Sequence, residues 1–186
     1  YPFMRHLQSL IVGMSLGIAL NFHPPALAQC TSLLQDGDFE DQRSDGRLRG
    51  PWIAEGRAGI DFHLALSHRG ENNAWASNKS GWNAIRQAVH LSAGVPYTVS
   101  VFIRTSGNVK DGYFGFRDAA QHPVSETKFG PLPKYGELRV KFRPTRDGTY
   151  NVFAGFWAPN QDAWIRVDEV RLDAPCNDTA AVPADG

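Results

Sequence analysis

The sequence predicts an all-β fold, a two-sheet antiparallel β-sandwich of the jelly-roll kind. Three observations predict it. Some ten short runs rich in Val, Ile, Phe, Tyr and Trp recur at near-regular spacing, separated by turn residues. Several of them alternate with a period of two, which turns one face of a strand to a core and the other outward. Finally, 18 glycines and 12 prolines punctuate 186 residues, and no 3.6-residue periodicity follows the first thirty.

The first residues read as an address. Arg5 and His6, an apolar run from Leu7 to Leu20, Pro24-Pro25 and Ala26-Leu27-Ala28 form the pattern of a secretory signal cleaved after Ala28. A membrane-spanning helix is the competing reading, but the run is short for a bilayer and the A-x-A exit favours cleavage. Residues 1–28 are therefore leader and signal, 29–176 the sandwich, and 177–186 a small, polar, flexible tail. This predicts a secreted or otherwise extracytoplasmic protein, in the periplasm or at the cell surface. Gly13-Met14-Ser15-Leu16-Gly17 matches a hydrolase nucleophile motif, yet lies within the leader and is given no function.

Cys30 and Cys176 are the two cysteines of the chain. In an exported protein they most simply form one disulfide, which brings the ends of the sandwich within about 7 Å. Leu27-Ala28-Gln29-Cys30 also resembles a lipoprotein box that would acylate Cys30, although Gln29 stands where that pattern wants a smaller residue.

Residues 33–40 read as the first strand, kinked at Gly37, and 41–50 as a polar loop. Strands follow at 51–53, 60–67, 73–77, 85–91, 97–104, 113–117, 127–129, 137–142, 149–157 and 164–172. The clearest stretch is 85–104. Ile85, Gln87, Val89 and Leu91 share one face; after Ser92-Ala93-Gly94-Val95-Pro96, so do Tyr97, Val99, Val101 and Ile103. This pattern reads as a β-hairpin. Trp52 and Trp75 are assigned to the core. Arg139, Lys141 and Arg143 alternate with Leu138, Val140 and Phe142 and read as a solvated strand face, with attraction to an acidic polysaccharide as the alternative.

Lys+Arg and Asp+Glu both number 19 and are evenly mixed, so charge offers no footprint for nucleic acid or an anionic membrane. No catalytic centre assembles from spacing. No carboxylate pair, phosphate loop or dinucleotide fingerprint can be nominated. Tyr113, Arg117 and His122 could be placed in a lyase-like role only after the fact.

Longer patterns carry a resemblance. These are Leu33-Leu34-x-Asp36-Gly37-x-Phe39-Glu40, Pro51-Trp52, Gln87-x-Val89-x-Leu91-x-x-Gly94-x-x-Tyr97-x-Val99-Ser100, Gly148-Thr149-Tyr150 and Val167-Asp168-Glu169-Val170-x-Leu172. Together they resemble the jelly-roll carbohydrate-binding modules of the galactose-binding-like superfold. The resemblance implies that the first and last strands are neighbours. It also implies a structural calcium held by the carboxylates of Glu40 and Asp168, with carbonyls near Asp38 and Gly70 completing the shell. The plainer reading makes both acids turn and strand-end residues satisfied by backbone amides.

In the strand 149–157, Tyr150, Val152, Ala154 and Phe156 share one face, and Asn151, Phe153, Gly155 and Trp157 the other. With the first set in the core, Phe153 and Trp157 point outward, as does Phe102 beside Arg104. Such rings suit the apolar C–H faces of sugars, with Arg104, Asn151 and Arg86 for hydroxyls. Trp82 and Trp164 are loop-rim alternatives. A single bulge or a covering loop would instead make these rings a satellite core. The expectation is a secreted, non-catalytic protein that binds a polysaccharide or glycan. Its alternative is a structural or interaction protein of the cell envelope or extracellular matrix on the same scaffold.

Overall fold

The computed structural model describes residues 31–176. The leader, Cys30 and the 177–186 tail lie outside the described residues, so the signal and the Cys30–Cys176 pairing fall there too. Eight strands make up the fold: β1 (Trp52–Glu55), β2 (Ala58–Phe62), β3 (Asn72–Leu91), β4 (Tyr97–Thr105), β5 (Asp111–Arg117), β6 (Pro123–Phe129), β7 (Gly136–Phe142) and β8 (Gly148–Asp173). The described residues contain no helix.

Two long strands organise everything. β3 and β8 pair antiparallel from Leu91 opposite Gly148 to Ala74 opposite Val167, and the register breaks between Asn78 and Ser80. On one side of the break, the ribbon is flanked by β1 on β3 and by β5 and then β6 on β8. On the other side it is flanked by β2 on β3 and by β4 and then β7 on β8. The front sheet is thus ordered β1-β3-β8-β5-β6 and the back sheet β2-β3-β8-β4-β7, a two-sheet antiparallel sandwich with a shared central ribbon.

The core lies between the sheets. Ile85, Phe114, Phe116, Val152 and Phe156 enter it from the front, and Val99, Val101, Ile103, Ile165 and Val167 from the back, all with no measurable exposure. Burying each such side chain is worth about 1.5–3 kcal/mol. Small Ala74, Ala76 and Ala163 are equally buried inward-facing positions, and they let the ribbon approach the opposite sheet.

The structure corrects several expectations. Runs 73–77 and 85–91 are one strand, as are 149–157 and 164–172, because each continues past its bend with its ladder largely intact. The stretch 85–104 is not a hairpin: β3 pairs with β1, β2 and β8, whereas β4 pairs with β7 and β8. Its turn arches from the front sheet to the back, and the alternation was right about faces but silent about partners. Residues 33–40 form no strand. Asp36 and Phe39 adopt left-handed φ values of 47° and 60°, which extended backbone cannot accommodate. The segment still runs beside the last strand, for the Leu33 N–H donates to the Leu172 carbonyl (2.9 Å) and the Val170 N–H to the Gly37 carbonyl (2.8 Å). Trp52 is in the core, but Trp75 is not: it lies half-buried on the outer face of the back sheet.

Candidate functional site

The outer face of the front sheet gathers polar and aromatic groups from four neighbouring strands. Alternation places Glu55 of β1, Trp82 and Arg86 of β3, Asn151, Phe153, Gly155 and Trp157 of β8, and Tyr113 and Arg117 of β5 on this side. Glu55 is its electrostatic centre. One carboxylate oxygen accepts from Arg86 Nε (2.9 Å), and the other from Trp82 Nε1 (2.7 Å) and Arg117 Nη1 (3.3 Å). Arg86 Nη1 in turn donates to Asn151 Oδ1 (2.9 Å). Charge-assisted bonds of this kind fix side-chain orientation as well as adding energy.

The rings are layered. The Arg117 guanidinium carbon lies 3.9 Å from the Phe153 ring centroid and 4.6 Å from that of Trp82, so the cation sits against two aromatic faces. Burial pulls the Arg117 pKa below its ordinary value against the opposing charge of Glu55, and its Nε has no hydrogen-bond partner. Trp82 continues outward to Trp157 (centroids 5.6 Å apart) and lies 6.4 Å from Tyr113. Gly155 makes room for this layer, since a Cβ there would stand 2.5 Å from Trp82 Cζ2. Trp157 is the outermost ring, at 54% exposure.

The expected site residues therefore separate. Arg86, Asn151, Phe153, Trp157 and Trp82 share the front face. Phe153 is not a contact surface as expected, being fully buried beneath Trp82 and Arg117; Asn151 is likewise buried, and acts as an orienting acceptor for Arg86. Phe102, Arg104 and Trp164 lie on the other side, on the outer face of the back sheet. Phe102 is covered by the loop after β2, stacked on His68 at 3.9 Å and 10°, while Arg104 Nε donates to the Pro133 carbonyl (3.1 Å). The three-ring platform of Phe102, Phe153 and Trp157 does not exist. Sequence reasoning passed over Glu55, Tyr113 and Arg117 as members of a binding face. Their signal was the outward parity of β1 and β5, visible only once those strands are known to flank β3 and β8.

The expected calcium residues meet at a different corner. Glu40 Oε1 accepts the N–H groups of Glu71 (2.9 Å) and Asn72 (3.0 Å). Asp168 accepts those of His68 (2.7 Å), Arg69 (3.1 Å) and Glu169 (2.8 Å), and Asp38 Oδ1 that of Glu40 (3.5 Å). Gly70, at φ 71°, is close enough that a Cβ would sit 2.3 Å from Glu40 Oε1. Amide hydrogens face these acids, and among the described residues no three His, Cys, Asp or Glu side chains group to hold a metal. The backbone amides follow the plainer reading, in which both acids are satisfied by the main chain, and the two acids clamp the loop 68–72. Burial raises the Asp168 pKa to about 6, with the three amides pulling the other way.

No family model matches this chain, and no curated protein matches it. Solved structures do share its fold. TmCBM61 in complex with β-1,4-galactotriose superposes with a TM-score of 0.59 at 18% identity, covering 78% of this chain and 100% of that one. The CBM22-1 xylan-binding domain from Paenibacillus barcinonensis Xyn10C gives 0.55 at 14%, covering 79% and 97%. The arabinose-bound MgGH51 α-L-arabinofuranosidase gives 0.61 at 15%, covering 78% of this chain but 26% of the enzyme. These neighbours include several carbohydrate-binding modules with β-sandwich folds.

Proposed function

We propose that this protein is an exported, non-catalytic carbohydrate-binding protein that takes a polysaccharide across the outer face of its front sheet. The observation that carries the reading is Trp157, 54% exposed and backed by Trp82. An exposed indole braced by a second ring, with a guanidinium and carboxylate frame behind it, is a pre-organised stacking surface. Trp157, Trp82 and Tyr113 offer ring faces to the C–H faces of sugars. Arg86 and Glu55, already oriented by each other, offer hydrogen bonds to hydroxyls. Glu55 is engaged by three donors, which suits binding rather than proton transfer. TmCBM61 is bound to a β-1,4-galactotriose and the CBM22-1 domain is xylan-binding, so β-1,4-linked galactan and xylan are the first ligands to try.

The test is titration calorimetry with oligosaccharides of both glycans. Wild type binds at least one, and Trp157→Ala weakens that binding tenfold or more, about 1.4 kcal/mol, with an unchanged melting temperature. Absence of binding across a broad glycan array, or full binding by Trp157→Ala, overturns the proposal.

A further inference from the structure

The opposite side of the sandwich carries a second pair of tryptophans, both half-buried, that the front-face reading does not use. On the outer face of the back sheet, Trp75 of β3 and Trp164 of β8 line an open groove of about 230 Å³ with Arg57, Asp61, Ser77 and Arg166. The register explains the groove. Gly59 is the β2 partner of Trp75 and Ser77 the β3 partner of Trp164, so each indole has a small neighbour across the ladder. A Cβ at Gly59 would stand 2.7 Å from Trp75 Cζ2.

The two rings are equipped differently. Over Trp164, the Arg166 guanidinium lies 4.5 Å from the ring centroid and is neutralised by Asp61 at 2.9 Å. Asp61 is itself oriented by Asn73 Nδ2 (3.1 Å). Over Trp75, the Arg57 guanidinium carbon lies 5.4 Å from the ring centroid; Arg57 is exposed and has no carboxylate within ion-pair distance among the described residues. The groove therefore holds two indoles, each with a guanidinium over it, one cation paired with a carboxylate and the other uncompensated. Indole faces take sugar rings, and a planar guanidinium takes a carboxylate through two parallel hydrogen bonds. A sugar ring that carries its own carboxylate matches both.

We propose that this groove is a second carbohydrate site, selective for uronate-bearing oligosaccharides, with Trp75 and Trp164 stacking on the sugar and Arg57 binding its carboxylate. It shares no residue with the front face, so the two sites stand or fall separately, and together they would let one domain bridge two glycan chains.

Galacturonate and mannuronate trimers, and their carboxyl-reduced neutral counterparts, are titrated calorimetrically into the full chain and three variants. Wild type binds at least one uronate trimer, at least tenfold more tightly than its reduced form. Arg57→Gln, an exposed substitution that leaves the core untouched, removes that preference. Trp164→Ala weakens uronate binding tenfold or more, whereas Trp157→Ala on the front face leaves it unchanged. The proposal is overturned if neither trimer binds, if Arg57→Gln keeps the preference, or if Trp157→Ala abolishes uronate binding. Loss of β-1,4-galactan or xylan binding in Trp157→Ala, with uronate binding intact, reports on the front face alone.

Discussion

Replacing Glu55 by Gln tests whether one carboxylate organises the front face. Glu55, Arg86 and Arg117 have side chains only 22%, 23% and 13% exposed, and the acid serves both cations. Removing one partner of a fully buried ion pair costs about 3–5 kcal/mol, and an exposed pair is worth about 0–1 kcal/mol. Groups of intermediate burial, with two guanidiniums left facing each other, point to a loss of roughly 2–3 kcal/mol. In a chain of this size that lowers Tm by roughly 4–12 °C. Glu137→Gln is the control. Its partner Arg139 is 2.5 Å away, but the two side chains are 36% and 63% exposed, so the melting temperature moves by no more than about 4 °C. Thermal melts followed by circular dichroism compare them, while tryptophan emission reports the release of Trp82 Nε1 from Glu55. A Glu55→Gln melt within 1–2 °C of wild type (roughly 0.5 kcal/mol), or equal shifts in both variants, would refute the reasoning.

Three further outcomes follow from other parts of the fold. Asp168 binds its proton more readily folded, at about 6, than an ordinary exposed aspartate does, at about 3.9. Its contribution to stability is therefore largest below the unfolded value and is lost as pH rises from about 4 to 6. Urea titrations across that range should show the decline in wild type and a flatter profile in Asp168→Asn. Because amide hydrogens face Glu40 and Asp168, melting with excess chelator should match melting with millimolar calcium, and an upward shift of several degrees with calcium would show a cation site at that corner. Peptide mapping of the unreduced mature protein should recover Cys30 and Cys176 in one cross-linked fragment; a lipid-modified Cys30 would contradict the disulfide expectation.

The sequence revealed the faces of strands far better than their partners. In β4, Tyr97, Val99, Val101 and Ile103 are all buried as their alternation required, because a period of two is written locally. Pairing is not local. β3 turns away from β4 to lie against β8, some sixty residues further on, and so a promising hairpin became a crossing between sheets. Trp75 was misplaced because size outweighed parity. The inward positions beside it are Ala74 and Ala76, and such small residues mark a core face only where the opposing sheet comes close. The front face was partly legible: Trp157, Asn151 and Arg86 had the correct orientation. Phe153 faced the correct way too, but no local pattern shows that Arg117 of β5 will cover it.

The most direct measurement of the central claim uses the five tryptophans as reporters. Their indole N–H signals are followed by heteronuclear NMR while a β-1,4-galactan or xylan oligosaccharide is added. The account predicts saturable shifts at Trp157 and Trp82, with Trp52, fixed to the Asp36 carbonyl at 2.8 Å, staying still. Shifts confined to other indoles, with Trp157 and Trp82 silent, would contradict it.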